Sequence, residues 1–161
     1  IPLDPRISRM LLEAHREGCP EEVAIIAAAL SLRDPRERPP DKAAQADRAQ
    51  ASFLHPDSDF LTLLNIWRAY HGAPGSQLSA GRRRRFCQEH FLSHGRMREW
   101  GFIHDQILSI LEEQGLPAPP AIRREISPTV EAPIHRSVLP RFLSNNTDHK
   151  EKGLSQAVPG A

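Results

Sequence analysis

The chain has 161 residues and a mass of 18.1 kDa, the size of one domain with one hydrophobic core. Its charges nearly cancel to a net +1, and no apolar run approaches the ~20 residues of a membrane span, so bulk charge selects no partner and a membrane-spanning helix is excluded. Two cysteines make no disulfide framework, which points to a reducing, cytoplasmic setting, and the absence of any G-x-x-x-x-G-K-[S/T] or G-x-G-x-x-G loop leaves no recognisable nucleotide site.

The opening Ile1-Pro2-Leu3-Asp4-Pro5 lacks an initiating Met and the build of a signal peptide, and reads as a cut inside a longer chain. From there the periodicity is helical. Asp4 is the expected N-cap of a first helix, with Pro5 at its first position. Ile7, Met10, Leu11 and Ala14 form its apolar stripe, and Gly18 stops it. A second helix starts at Pro20 with Glu21 and Glu22 in its first turn, and Val23 to Leu30 is apolar on every face, as a central helix requires.

Asp34-Pro35-Arg36-Glu37 has the spacing of a capping box for one short turn, ended by Pro39-Pro40. Asp41 is expected to open an alanine-rich third helix reaching Phe53. Asp57 or Ser58 caps a fourth, whose stripe is Phe60, Leu63, Leu64 and Trp67, extended by Tyr70. After a loop at Gly72 to Gly75, a fifth helix spans about Ala80 to Leu92. A sixth spans about Ser93 to Gln114, with Met97, Trp100, Ile103, Ile107 and Ile110 inward and Gly115 as its stop.

Pro117, Pro119, Pro120 and Pro128 mark a stiff linker. Ile134, Val138 and Phe142 suggest a last helix, interrupted by Pro140. From Asn145 the chain is polar, aperiodic and expected to be poorly ordered. The expectation is an all-α fold: a single bundle of six or seven helices over 1–144 and a tail over 145–161.

Few residues suggest chemistry. His104-Asp105 could contribute to a divalent-metal hydrolase, but that site needs further His and Asp ligands that no spacing selects. Cys87, His90 and His94 lie near one helix face, with Cys19 as a conceivable fourth zinc ligand, yet no paired-cysteine motif announces such a site. Asp57 and Asp59 are explained by capping and by the helix dipole. The expectation is no catalytic residue and no metal or cofactor in these residues.

The charge distribution is more specific. Of the 21 cations only Lys42, Lys150 and Lys152 are lysines, and Arg82-Arg83-Arg84-Arg85 are consecutive. Between Ser79 and Trp100 six arginines face Glu89 and Glu99, a local excess of +4. Arginine forks match phosphate geometry, so this is an anion-binding candidate. With Phe86, Cys87 and Phe91 setting the buried direction, Arg83 points inward, Arg84 sideways, and Arg85 and Arg82 outward. Arg85 is the first candidate for phosphate contact, then Arg82, with Arg96 and Arg98 extending the patch unless they pair with Glu89 or Glu99. Trp67 and Trp100 read as core residues, not as base-stacking platforms.

Several motifs carry a family resemblance. Pro2-Leu3-Asp4-Pro5-Arg6 followed by Met10-Leu11-Leu12, the loop Asp34 to Lys42 with Ala46-Asp47, and Phe53 to Tyr70 resemble the helicase-associated region of DEAH-box RNA helicases. So do Arg84 to Ser93, Arg96 to Trp100 and Ile134 to Leu139, the bacterial HrpA branch being most similar. Gly95, Phe102, Pro140 and Arg141 depart from that pattern. The resemblance implies a ratchet-like helical bundle between a winged helix and an OB-fold, with residues 145–161 on the approach to the latter. It also implies a role in enclosing single-stranded RNA against two upstream RecA-like domains that bind ATP and Mg. On this reading the fragment itself hydrolyses nothing. A different class, an α-helical protein–protein scaffold with solvating arginines, stays open on the residues alone.

Overall fold

A computed structural model describes residues 4–72, 77–115 and 131–138. Among these the helices are α1 (Pro5–Glu17), α2 (Pro20–Leu30), α3 (Ala43–Gln50), α4 (Asp59–His71), α5 (Ala80–Glu89), α6 (His94–Glu113) and α7, residues 131–138. No strand forms among the described residues; one isolated antiparallel bridge joins Arg36 and Leu92. The fold is the expected all-α bundle. The Pro-rich linker, Pro140 and the tail from Asn145 lie outside the described residues.

α1 begins and ends where its sequence says it should. The Asp4 carboxylate accepts from the Arg6 N–H at 2.8 Å, and Gly18 turns the chain at φ 79°, a left-handed conformation that glycine adopts without a Cβ clash. The tight turn returns the chain into α2, which packs against α1, α4 and α6. Val23, Ala24, Ile25, Ile26, Ala27 and Ala28 are all fully buried. A helix surrounded on all sides has no polar face to spare, and its alanines let three neighbours approach closely. Glu21 and Glu22 are also buried at its N-terminus, where the helix dipole favours negative charge. Burial lowers the pKa of the Arg68 guanidinium of α4 and outweighs the opposing charges of Glu22 and Glu21.

Two segments differ from expectation. Asp34 to Glu37 does not form a capped helical turn. The Asp34 carboxylate accepts from the Arg36 N–H two residues on, and the Arg36 side chain binds both Asp34 and Asp59, each with a 2.7 Å contact. The backbone instead finds partners across the chain: Glu37 N–H donates to Phe91 O, and Ser93 N–H to Pro35 O, both at 2.8 Å. These non-local bonds, with Pro39-Pro40 blocking continuation, make the segment a strap rather than a helix. The third helix is likewise shorter than expected: Pro40–Lys42 and Ala51–Phe53 are 3-10 turns flanking α3, tighter forms common at helix ends.

The fourth helix is capped by Ser58, whose hydroxyl accepts from the Leu61 N–H. The same hydroxyl lies 2.7 Å from His135 Nε2 on α7. Ile134 and Val138 are fully buried, and Arg136 reaches Glu17 at 2.7 Å. α7 therefore docks on the ends of α1 and α4 through an apolar edge and a polar rim.

Trp67 and Trp100 are core residues, as expected, with ring centroids 5.0 Å apart. Two histidines flank Trp67: His71 at 4.0 Å and His104 at 4.8 Å between ring centroids. Burial is the main cause that lowers both pKa values, and it outweighs the opposing charge of Asp105. Because the folded values lie below the ordinary value of about 6.5, the unfolded chain takes up protons first as the solution acidifies. The stability they contribute is complete above about pH 6.5 and is lost as pH falls through the folded values. The thermal midpoint is expected to fall between pH 7.5 and 5, and by less in His104→Phe. An unchanged pH dependence in that variant would clear His104 of the effect.

Candidate nucleic-acid interface

The corner between α5 and α6 is built by local rules. Ser79 caps α5 by accepting from the Arg82 N–H, and Ser93 caps α6 by accepting from the Arg96 N–H, both at 3.3 Å. α5 ends at Glu89, earlier than its apolar spacing suggests, because Phe91 takes φ 53°. A bulky residue adopts that conformation only where its surroundings hold it. Here Leu92 N–H donates to Cys87 O at 2.9 Å. The Gln50 amide donates to Glu37 O, His90 O and Phe91 O at 3.1–3.3 Å. The strap and Gln50 thus fix the angle at which α5 meets α6.

This corner sorts the arginines. Arg82, Arg84 and Arg85 are exposed. Arg83 turns inward as expected, with its guanidinium carbon 5.3 Å from the centroid of the Tyr70 ring, a distance suited to a cation–π contact. Arg98 is exposed and makes no ion pair among the described residues, with Glu99 or otherwise. Arg96 is half-buried, and its Nη1 donates to the Asp34 carbonyl at 3.0 Å rather than to Glu89 or Glu99. It is tied to the strap, whereas Arg82, Arg85 and Arg98 are presented to solvent.

His94 locates the centre of the positive field. Burial lowers its pKa first, and the charges of Arg84, Arg98 and Arg83 push the same way. Arg83 and Arg98 also act on the Tyr70 hydroxyl, against the burial that raises its pKa. The first turns of α5 and α6 contain no acidic residue, so no carboxylate there offsets the positive end of α5 at Arg82 or that of α6 at His94. Sequence reasoning placed Arg84 to the side and weighed His94 only as a zinc ligand. The i,i+4 spacing of His94 and Arg98 was the available signal that they share a face.

The other candidates do not assemble. Among the described residues no three His, Cys, Asp or Glu side chains come together to hold a metal ion. Cys87 is buried, and burial raises its thiol pKa to about 11. His90 Nδ1 lies 2.8 Å from the Phe86 carbonyl, while His94 sits in a field of arginines that repels a cation. His104 is packed on Trp67. Cys19 lies 4.0 Å from Ser137 Oγ, and burial raises its pKa to about 11. Asp59 is held by Arg36.

Comparison with known proteins agrees with this architecture. Residues 4–63 match the helicase associated domain (HA2), ratchet-like. The chain is 43% identical over 128 residues to the ATP-dependent RNA helicase HrpA of Escherichia coli, covering 78% of this chain and 10% of that protein. It is 43% identical over 117 residues to the HrpA homolog of Haemophilus influenzae, covering 73% and 9%. It is 32% identical over 111 residues to the pre-mRNA-splicing factor ATP-dependent RNA helicase prp22 of Schizosaccharomyces pombe, covering 69% and 9%. The chain thus spans about a tenth of the length of these relatives. Residues 4–63 thus match a ratchet-like helicase-associated domain, and most of the chain is similar to a segment of HrpA-type RNA helicases.

Proposed function

We propose that this domain grips single-stranded RNA within an ATP-dependent helicase, with Arg85, Arg82 and Arg98 contacting phosphates. Arg84 and His94 complete the same field, and Arg96 supports it through the strap. The observation that carries the reading is the solvent-presented cluster of Arg82, Arg84, Arg85 and Arg98 on α5 and α6, with no acidic residue in the first turn of either helix. Arg82, in the first turn of α5, gains nothing from the helix dipole, and arginine forks presented to solvent match the geometry of a phosphate. Partners on this reading are RNA, upstream RecA-like and winged-helix domains, and a downstream OB-fold of the same chain. ATP and Mg belong to the RecA-like domains, and the setting is the cytoplasm.

The test is a salt titration of RNA binding by wild type and Arg85→Ala on two unrelated single-stranded oligomers. Each phosphate contact contributes about 0.7 to the slope of log affinity against log salt on single strands. The variant is expected to bind both oligomers more weakly and to lose about that amount of slope. Identical slopes would remove Arg85 from the contact set. A wild-type chain that binds neither oligomer would favour the protein–protein scaffold.

A further inference from the structure

His94, Arg98, Phe102 and Gln106 stand four residues apart on α6, and i±4 rows are the ridges of a helix surface. Their spacing is about 6 Å along the axis. Arg98 and Gln106 are exposed, and Phe102 is 61% exposed. The buried face of α6 is supplied instead by Met97, Trp100, Ile107 and Leu111. Both tryptophans and Tyr70 are interior, so Phe102 is the one exposed Phe, Trp or Tyr among the described residues. A lone exposed phenylalanine needs no explanation. This one continues a ridge that begins in the arginine field.

Charge tells the two halves of the ridge apart. Arg98 and His94 lie with Arg83 and Arg84 at the positive end. Glu99 and Asp105, three residues to either side of Phe102, make the other end unfavourable for a phosphate. The matching ligand is anionic at one end and flat, neutral and aromatic about one helical turn away. A nucleotide within a single strand has that form, because its base is free of a complementary strand and can be splayed onto a ring. Base N–H groups can also face carboxylates where phosphates cannot.

We propose that this ridge is a base-stacking subsite: a phosphate rests on Arg98 and His94, the base stacks on the Phe102 ring, and the Gln106 amide meets the base edge. The subsite rests on the RNA-gripping reading above and adds to it a contact made to a base. Stacking tolerates any base, so the subsite favours single strands over duplex without selecting a sequence.

The test compares the whole chain and its Phe102→Ala variant on a single-stranded RNA and on an abasic strand with the same number of phosphates. Phe102→Ala is expected to weaken binding to RNA roughly 5- to 150-fold, with an unchanged salt slope because no charge is removed. Its affinity for the abasic strand and its thermal midpoint should stay at the wild-type values. Phe102→Trp should restore RNA binding and Phe102→Leu should not, which separates ring stacking from the apolar contact a protein partner would use. Wild-type RNA binding that is insensitive to Phe102→Ala overturns the subsite alone. Equal losses on both strands overturn it too. Failure of the wild-type chain to bind either strand removes the RNA reading and the subsite together.

Discussion

Trp100→Ala is expected to cost about 3–5 kcal/mol of folding stability, the range for emptying a large aromatic site in a core. The ring is fully buried, lies 5.0 Å from the Trp67 ring between centroids, and donates its Nε1–H to the Ile25 carbonyl of α2 at 2.9 Å. Its loss therefore empties the junction of α2, α4 and α6, the helices that hold the bundle together. The thermal midpoint should drop by on the order of 10–20 °C. Trp100→Phe keeps most of the packing and loses the hydrogen bond, which is worth about 1 kcal/mol, so it should fall well short of the alanine cost. Melting curves of the two variants decide the matter. A midpoint within 3 °C of wild type for Trp100→Ala would mean that the site refills, and that α2 is held by its other contacts alone.

What local chemistry decides was legible in the sequence. Asp4, Pro5 and Gly18 bound α1, and Ser58 caps α4, because caps act over two or three residues. The all-round apolar run from Val23 to Leu30 identified the central helix, since only full enclosure can hide it; Val23 to Ala29 are buried, and Leu30 at its end is 37% exposed. The strap was misread for the opposite reason. Asp34 and Glu37 have capping-box spacing, but the backbone of this segment bonds to residues 91–93, more than fifty positions away. No local pattern encodes that. The early end of α5 is part of the same non-local contact, with Phe91 held at positive φ between strap and helix.

The candidate site was legible to the extent that a helical wheel fixes direction. Arg83 faces Tyr70, while Arg82 and Arg85 face solvent, as the inward positions of the fifth helix required. The fate of Arg96 was not legible, because its acceptor is a backbone carbonyl of the strap. Nor was the approach of Arg84 and Arg83 on α5 to His94 on α6, which depends on the angle between the two helices. Direction from one helix is a sequence property; proximity between two helices is set by the packed structure.

Replacing Arg82, Arg85 and Arg98 together by Gln should reduce affinity for single-stranded RNA about a hundredfold at 0.1 M salt. Each lost phosphate contact removes about 0.7 from the log–log salt slope. Taking 1 M salt as the point where screening leaves little attraction, one decade of salt separates the two conditions. Three contacts then amount to about two decades of affinity at 0.1 M and almost nothing at 1 M. Stability should change by no more than about 0.5 kcal/mol, because all three side chains are exposed. Removing Arg82 from the first turn of α5 even relieves a cation at the positive end of its dipole. Arg96→Gln is the internal control: its guanidinium is committed to the Asp34 carbonyl, so it should lower the thermal midpoint slightly and leave the slope intact. Binding curves at four salt concentrations separate the outcomes. A triple variant whose affinity falls equally at every salt concentration has lost something other than phosphate contact. One that binds like wild type at 0.1 M places the RNA on another face of the bundle.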